Sequence, residues 1–321
     1  MKIKELQILV LIIAVLLQNT EGVFAQQEGQ HTLFMFNALS LNPGVAGSRD
    51  MPSFTLLGRY QWVGIKGAPS QQTLTYHAPA FGSQRLGLGL VVSNRSVGIF
   101  ESQTASMSWS YSPIRTKDFA MRMGLSGSVR RIGFKLETAD QVTVLTNERS
   151  YIDLSGRMYG NFGMGAFFTY KDCYFGVSVP FFYANVIGIN TNTPTTAVEQ
   201  SHLYVMGGLN LPILNKISFR PAGIFKRTRN APWGFDLNGS LVYDDKVTAG
   251  LSYRAGKSNV ELGESLDFLL FYQVNPSWGV GGAYDWNLSP LKKYTEGSFE
   301  VVIRYDLKPT ALQFSNPRVF F

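Results

Sequence analysis

Three histidines, one cysteine and a few acidic pairs are the residues of this chain whose types could do acid–base, nucleophilic or metal chemistry. Their spacing supports none of it. His31, His77 and His202 stand far apart, in no H-E-x-x-H or comparable ligand spacing. Cys173 has no second cysteine, which excludes an intramolecular disulfide and a zinc pair. It opens an alternating run directly after a turn and reads as a structural thiol rather than a nucleophile. Gly87-Leu88-Gly89 and Gly279-Val280-Gly281-Gly282 complete neither G-x-G-x-x-G nor P-loop spacing, and neither joins a strand to a helix. Glycine inside a strand marks a bend or a close backbone approach. Ser126, in Gly124-Leu125-Ser126-Gly127, misses G-x-S-x-G by one position. Asp244-Asp245, followed by Lys246 and set between two alternating runs, reads as a hairpin turn rather than an acid–base pair. Arg122, Arg130, Glu300, Arg304 and Asp306 fall on polar faces. They read as the lining of a polar lumen, either along a channel or holding a plug by ion pairs. No catalytic residue, cofactor site or metal site is expected.

The elements that position these residues begin with a segment outside the fold. Lys2 and Lys4 precede an uncharged apolar run from Ile8 to Leu17. Val23-Phe24-Ala25 then sets small or β-branched residues at the −3 and −1 positions of a cleavage site before Gln26, the layout of a secretory signal. The run is about half of the ~20 residues a spanning helix needs. Residues 1–25 are therefore expected to be a signal peptide. The lone cysteine is not at that site, which excludes lipoprotein acylation there. The chain has 16% charged and 45% hydrophobic residues and 32 Gly, whereas a soluble domain carries about 25% charge. Yet no stretch after Leu17 approaches a transmembrane helix. That combination suits a membrane barrel, whose apolar residues are interleaved with polar ones. The net charge of +7 is dispersed, with no run of like charges longer than two. Solvated loops and a polar lumen account for it without nucleic acid.

A period of two dominates the rest, sending successive side chains to opposite faces of a strand. Ala105, Met107, Trp109 and Tyr111 alternate with Thr104, Ser106, Ser108 and Ser110; Val247, Ala249, Leu251 and Tyr253 with Thr248, Gly250, Ser252 and Arg254. Phe299, Val301, Ile303 and Tyr305 alternate with Glu300, Val302, Arg304 and Asp306. Aromatics gather near strand ends (Tyr111, Tyr170, Tyr253, Tyr284, Trp286, Tyr305), as an interfacial girdle requires. The pattern predicts about fourteen strands. They lie near 54–63, 71–78, 85–95, 101–113, 119–135, 161–170, 173–182, 202–214, 217–228, 233–243, 246–254, 259–274, 278–286 and 297–307.

Tight links at 116–118, 171–172, 215–216, 244–245 and 275–277 alternate with generally longer ones, notably 136–160, 183–201 and 287–296. That asymmetry separates a barrel, with short periplasmic turns and longer outward loops, from a soluble sandwich. The expected architecture is an all-β, antiparallel outer-membrane β-barrel over residues 53–307, contacting outer-membrane lipid. An even strand count places both chain ends in the periplasm. Residues 26–52, with a turn at Leu41-Asn42-Pro43-Gly44, form either a periplasmic lead-in or a plug folded into the lumen. Residues 308–321 form a short periplasmic tail.

One region is more particular. Met35-Phe36-Asn37, Leu41-Asn42-Pro43-Gly44-Val45-Ala46-Gly47-Ser48 and Arg59-Tyr60-Gln61-Trp62-Val63-Gly64-Ile65-Lys66-Gly67-Ala68-Pro69-Ser70-Gln71-Gln72-Thr73-Leu74 together resemble the start of the PorP/SprF family, outer-membrane proteins of the type IX secretion system in Bacteroidota. Weaker echoes lie in Leu86-Gly87-Leu88-Gly89-Leu90, in Tyr305-Asp306 and in Asn316-Pro317-Arg318-Val319-Phe320-Phe321. The resemblance implies protein secretion, cell-surface display or gliding motility. Its expected partners are secreted cargo with C-terminal signal domains and other type IX proteins, including periplasmic motor and ring components. It brings no reaction and no cofactor. Within the motif, Asn42, Pro43, Gly47, Arg59, Gln61, Trp62, Gly64, Gly67 and Pro69 are the candidate partner-binding or rim residues. From the residues themselves, Arg59 to Val63 finish the first upward strand, Gly64 to Ser70 form its outward loop, and Trp62 suits the membrane interface. A diffusion channel or solute transporter is the alternative that the alternating polar lumen leaves open.

Overall fold

The computed structural model describes residues 29, 31–49, 51–98, 100–134, 157–187, 197–198, 200–228, 233–256 and 264–307. The expected signal peptide, the tail 308–321 and nearly all of the link 136–160 lie outside them.

Fourteen antiparallel strands close into a barrel. In order they are β1 (Ser53–Tyr60), β2 (Ser70–Ala80), β3 (Ser83–Val97), β4 (Phe100–Arg115), β5 (Phe119–Phe134), β6 (Arg157–Tyr170) and β7 (Cys173–Val179). There follow β8 (His202–Leu209, resumed at Leu211–Leu214), β9 (Ile217–Thr228), β10 (Gly234–Tyr243), β11 (Val247–Gly256), β12 (Ser265–Gln273), β13 (Trp278–Asn287) and β14 (Ser298–Asp306). Each strand pairs with its sequence neighbours, and β1 pairs with β14 from Ser53↔Asp306 to Tyr60↔Phe299. Closure leaves no unpaired edge, the condition for strands to cross a bilayer. Among the described residues no helix is long and apolar enough to cross a membrane.

The period of two sets which face is which. On β14, Ser298, Glu300, Val302, Arg304 and Asp306 are buried, while Phe299, Val301 and Ile303 are exposed. On β4, Ser108, Ser110 and Ser112 point inward, and Met107, Trp109 and Tyr111 point outward. The barrel is thus apolar outside and small or polar inside. The links 81–82, 116–118, 171–172, 215–216, 244–246 and 274–277 share one end with Ser53 and Asp306. The other end carries the links 61–69, 180–201 and 288–297. We call these the turn end and the loop end. Exposed aromatics ring both: Tyr111, Tyr170, Tyr243, Tyr272 and Trp278 near the turns, and Tyr60, Tyr253, Trp286 and Phe299 near the loops. Two-residue turns at Phe81-Gly82 and Asp244-Asp245 have positive φ at both positions, 52° and 68°, and 52° and 52°. That is the hairpin geometry which matches strand twist.

Four strand boundaries differ from the expected ones by three residues or more, among them the start of β6, at Arg157 rather than 161. β1 stops at Tyr60, because Trp62 takes a left-handed φ of 52° and leaves the ladder. β7 stops at Val179, before Pro180, which has no N–H to donate. β12 begins at Ser265 rather than 259, with 257–263 outside the described residues.

The core is in the lumen. Leu33, Phe34, Met35, Ala38, Leu39, Val45 and Ala46 form one buried cluster with Leu57, Val91, Phe167, Tyr204, Ile224, Phe271 and Val302, contributed by strands all around the ring. Residues 31–49 therefore occupy the barrel interior as a plug.

Candidate functional site in the barrel lumen

The plug folds as a 3-10 turn (Phe34–Asn37), one short helical turn (Ala38–Leu41) and a second 3-10 turn (Pro43–Val45). None is stable alone at that length. Packing and capping hold them. Asn42 caps the last turn: its Oδ1 accepts from the Gly44 N–H at 2.8 Å, and Pro43 occupies the first position, where no N–H is needed.

Asn42 also faces the wall. Its Nδ2 donates to the Ala166 carbonyl of β6 at 3.0 Å and, at 3.5 Å, to Val177 of β7. Ser178 Oγ donates to the Leu41 carbonyl and Ser110 Oγ to the Ala46 carbonyl, both at 2.6 Å. The approach is close because the strands present glycine here. A Cβ on Gly87 would stand 2.2 Å from the Ala46 oxygen, one on Gly124 2.3 Å from the Pro43 carbonyl carbon, and one on Gly165 2.1 Å from Asn42 Oδ1. Gly47, at φ +67°, turns the chain away, and a Cβ there would come 2.7 Å from Gly87 Cα. Backbone thus lies on backbone along β3 to β7.

The opposite wall is charged. The sheet register sets Arg59 beside Glu300, Asp236 beside Arg254 and Asp267 beside Asp285. Arg59 pairs with Glu300 and, at 2.6 Å, with Asp285. Arg254 pairs with Asp236 at 3.1 Å and Asp285 at 3.5 Å, and Lys226 pairs with Asp236 at 2.6 Å. The start of the plug sits in this network. Glu300 accepts the backbone N–H of Thr32 at 2.7 Å and of Leu33 at 2.8 Å, and Thr32 Oγ donates to Asp285 at 2.8 Å. Charged hydrogen bonds of this kind are stronger than neutral ones. Their partners are buried, and loss of any one leaves an uncompensated group. His31, in the plug itself, is held neutral: burial lowers its pKa first, and the cations Arg59, Lys226, Arg254 and Arg95 lower it further. At the turn end the plug is tied again, by Arg49 to Asp306 at 3.1 Å, with Ser53 Oγ donating to the same carboxylate at 2.6 Å.

The nine candidate residues thus separate into two groups. Asn42, Pro43, Gly47 and Arg59 belong to the plug and its seat. Gln61, Trp62, Gly64, Gly67 and Pro69 form the link after β1, at the loop end. There the Gln61 N–H donates to the Pro69 carbonyl at 2.9 Å and the Trp62 N–H to Ser298 Oγ at 3.2 Å. Gly64 and Gly67 take φ of +98° and +75°, and Val63 exchanges backbone hydrogen bonds with Glu296 and Gly297, tying this link to 288–297. Trp62 accordingly lies in a loop rather than at a strand end.

Sequence reasoning passed over Thr32, Leu33 and Arg49. No periodic signal marks them, but the inward glycines of β3, β5 and β6 point to something lying close against the wall. Among the described residues no group of three or more His, Cys, Asp or Glu is placed to hold a metal. Cys173 is exposed at the start of β7.

The family model described as type IX secretion system membrane protein PorP/SprF matches residues 23–305. No curated protein matches the chain. Among solved structures, a ΔS2S3 mutant of the monoaromatic hydrocarbon channel TodX is 12% identical, with a TM-score of 0.49, and 89% of this chain and 96% of that chain are covered. A Pseudomonas aeruginosa FadL homologue is 10% identical, with a TM-score of 0.48 and coverage of 84% and 94%. The KdgM porin is 11% identical, with a TM-score of 0.38 and coverage of 80% and 99%.

Proposed function

The chain belongs to the PorP/SprF family of type IX secretion system membrane proteins, and from that premise we propose that it is a non-catalytic outer-membrane partner-binding component of that system. It holds secreted cargo with a C-terminal signal domain, periplasmic motor and ring components, or both, for secretion, surface display or gliding. The observation that carries the reading is the filled lumen. Plug residues 31–49 pack against inward side chains around the ring and are tied near both ends. A diffusion pore needs continuous water there, and a secretion partner does not.

In this reading both ends of the barrel chain face the periplasm, and the turn end is the periplasmic end. The rim built by Gln61, Trp62, Gly64, Gly67 and Pro69 then faces outward, where an exported protein arrives. Asn42, Pro43, Gly47 and Arg59 act at one remove, by seating the plug beneath that rim.

Affinity capture of the tagged chain from detergent-solubilised outer membrane, read by mass spectrometry, tests it. The expected result is co-recovery of a protein with a type IX C-terminal signal domain, or of motor and ring components. Recovery of neither, with steady single-channel conductance in planar bilayers, overturns it in favour of a solute channel.

A further inference from the structure

The plug fills the lumen unevenly. Beside Phe36 a cavity of about 320 Å³ remains, bounded by β7 to β12 and β14, and it reaches the turn end at Asp245 and Lys246. That volume stands at the lower end of the range for small-molecule sites, about 300–1,000 Å³. Its floor is apolar, made by Phe36, Ala222, Leu269 and Phe271. Phe36 and Phe271 stack at 4.5 Å between centroids, and the Arg304 guanidinium lies 5.0 Å from the Phe271 ring centre. Its mouth is cationic. Of the charged residues that line it, Arg220, Lys246 and Arg304 are cations and Asp245 is an anion, three to one.

We propose that this cavity is a binding site for an amphipathic carboxylate, whose apolar body lies among Phe36, Leu269 and Phe271 and whose head group meets Arg220 and Lys246. The Arg220 side chain is 18% exposed, but its partner Asp245, 2.8 Å away, is 87% exposed. A pair with one arm in water is worth little, so an arriving carboxylate displaces Asp245 at small cost and gains the guanidinium fork. A neutral amphipath gains only the apolar floor, and a cationic one meets the excess positive charge. The site stands apart from the secretion reading, because its occupancy needs only the purified barrel.

The test is calorimetric titration of the full chain in zwitterionic nanodiscs with octanoate, octanol, octylammonium and N-acetylphenylalanine, each corrected for empty discs. Octanoate or N-acetylphenylalanine binds; which of them binds more tightly distinguishes an alkyl from a peptidic source. Arg220→Gln weakens the carboxylate by about tenfold, as loss of one charge-assisted hydrogen bond requires. Ala222→Phe fills the floor and abolishes binding, with heat-modifiable gel migration confirming that both variants fold. Equal affinity for octanoate and octanol, an unchanged constant in Arg220→Gln, or no binding by either carboxylate overturns the proposal. So does binding that appears only after removal of residues 308–321, since the cavity then serves the chain's own tail.

Discussion

The two walls of the lumen hold one plug by different physics. Along β3 to β7 the strands offer glycine and serine, and the plug backbone lies against theirs, with Ala46 and Leu41 carbonyls taking serine hydroxyls. Along β9 to β14 and β1 they offer guanidinium, ammonium and carboxylate groups, and the plug meets these through two backbone N–H groups, one threonine hydroxyl and the Arg49 guanidinium. The first wall works by shape: it tolerates no added atom. The second works by balance, since each charge is tolerable only while its partners remain. A glycine wall fails when something is added, and a charged wall fails when something is taken away.

The largest effect should come from taking charge away. Arg59→Met leaves Asp285 and Glu300 short of a cation, and breaking a buried pair costs about 3–5 kcal/mol. Hydrogen exchange should rise first at residues 31–33, with 42–47 still protected. If both regions open together, the walls are not separate. Next comes Gly124→Leu, whose Cβ would fall 2.3 Å from the Pro43 backbone. Overpacking costs about 1–3 kcal/mol, and here backbone must move. Exchange should rise first at 42–47, whereas Gly127→Leu, where a Cβ meets nothing within 4 Å, should leave it unchanged. The double variant Arg59→Met/Gly124→Leu sharpens the contrast. Sites without shared partners add to within about 0.5 kcal/mol, and a larger coupling would mean that the plug moves as one rigid piece. Thr32→Val is smaller, about 1–2 kcal/mol for one hydroxyl bonded to carboxylates, read as faster exchange at 31–33.

Near neutral pH the smallest effect is that of protonating His31. Its pKa is lowered in the folded plug, so the released plug binds the extra proton. Protection is therefore full above the ordinary histidine value of about 6.5 and declines as pH falls through it. In His31→Gln that part of the decline should vanish from pH-dependent exchange at 31–33.

The strands were legible because one face meets lipid and the other does not. Phe119–Phe134 and Ser298–Asp306 fall within a residue of their expected ends, since the alternation of side chains carries along nearly the whole of each strand. The Phe81-Gly82 turn was not visible, because no Asn-Gly or Asp-Gly pair marks it. Glu300 and Asp306 were readable as lumen charges, equally suited to lining a channel and to holding a plug. What they grip could not be read, because Thr32, Leu33 and Arg49 make contacts over 200 residues away in sequence. The motif at Asn42, Pro43 and Gly47 was visible as a motif, and only the glycines opposite explain its shape.

The closing pair of strands has a consequence for how the molecule is made. Arg59 and Glu300 are cross-strand neighbours on β1 and β14, the first and last strands to be synthesised, and Glu300 is also the residue that clasps Thr32 and Leu33. The plug runs from the loop end to the turn end before β1 turns back upward. A cylinder already sealed along that line can be filled only by a free end threading its whole length. A cylinder sealed last along that line can close around a filling already in place. With Glu300 shared between the seal and the filling, correct register of the one and correct seating of the other become a single event. An empty barrel would close with Glu300 lacking both backbone donors.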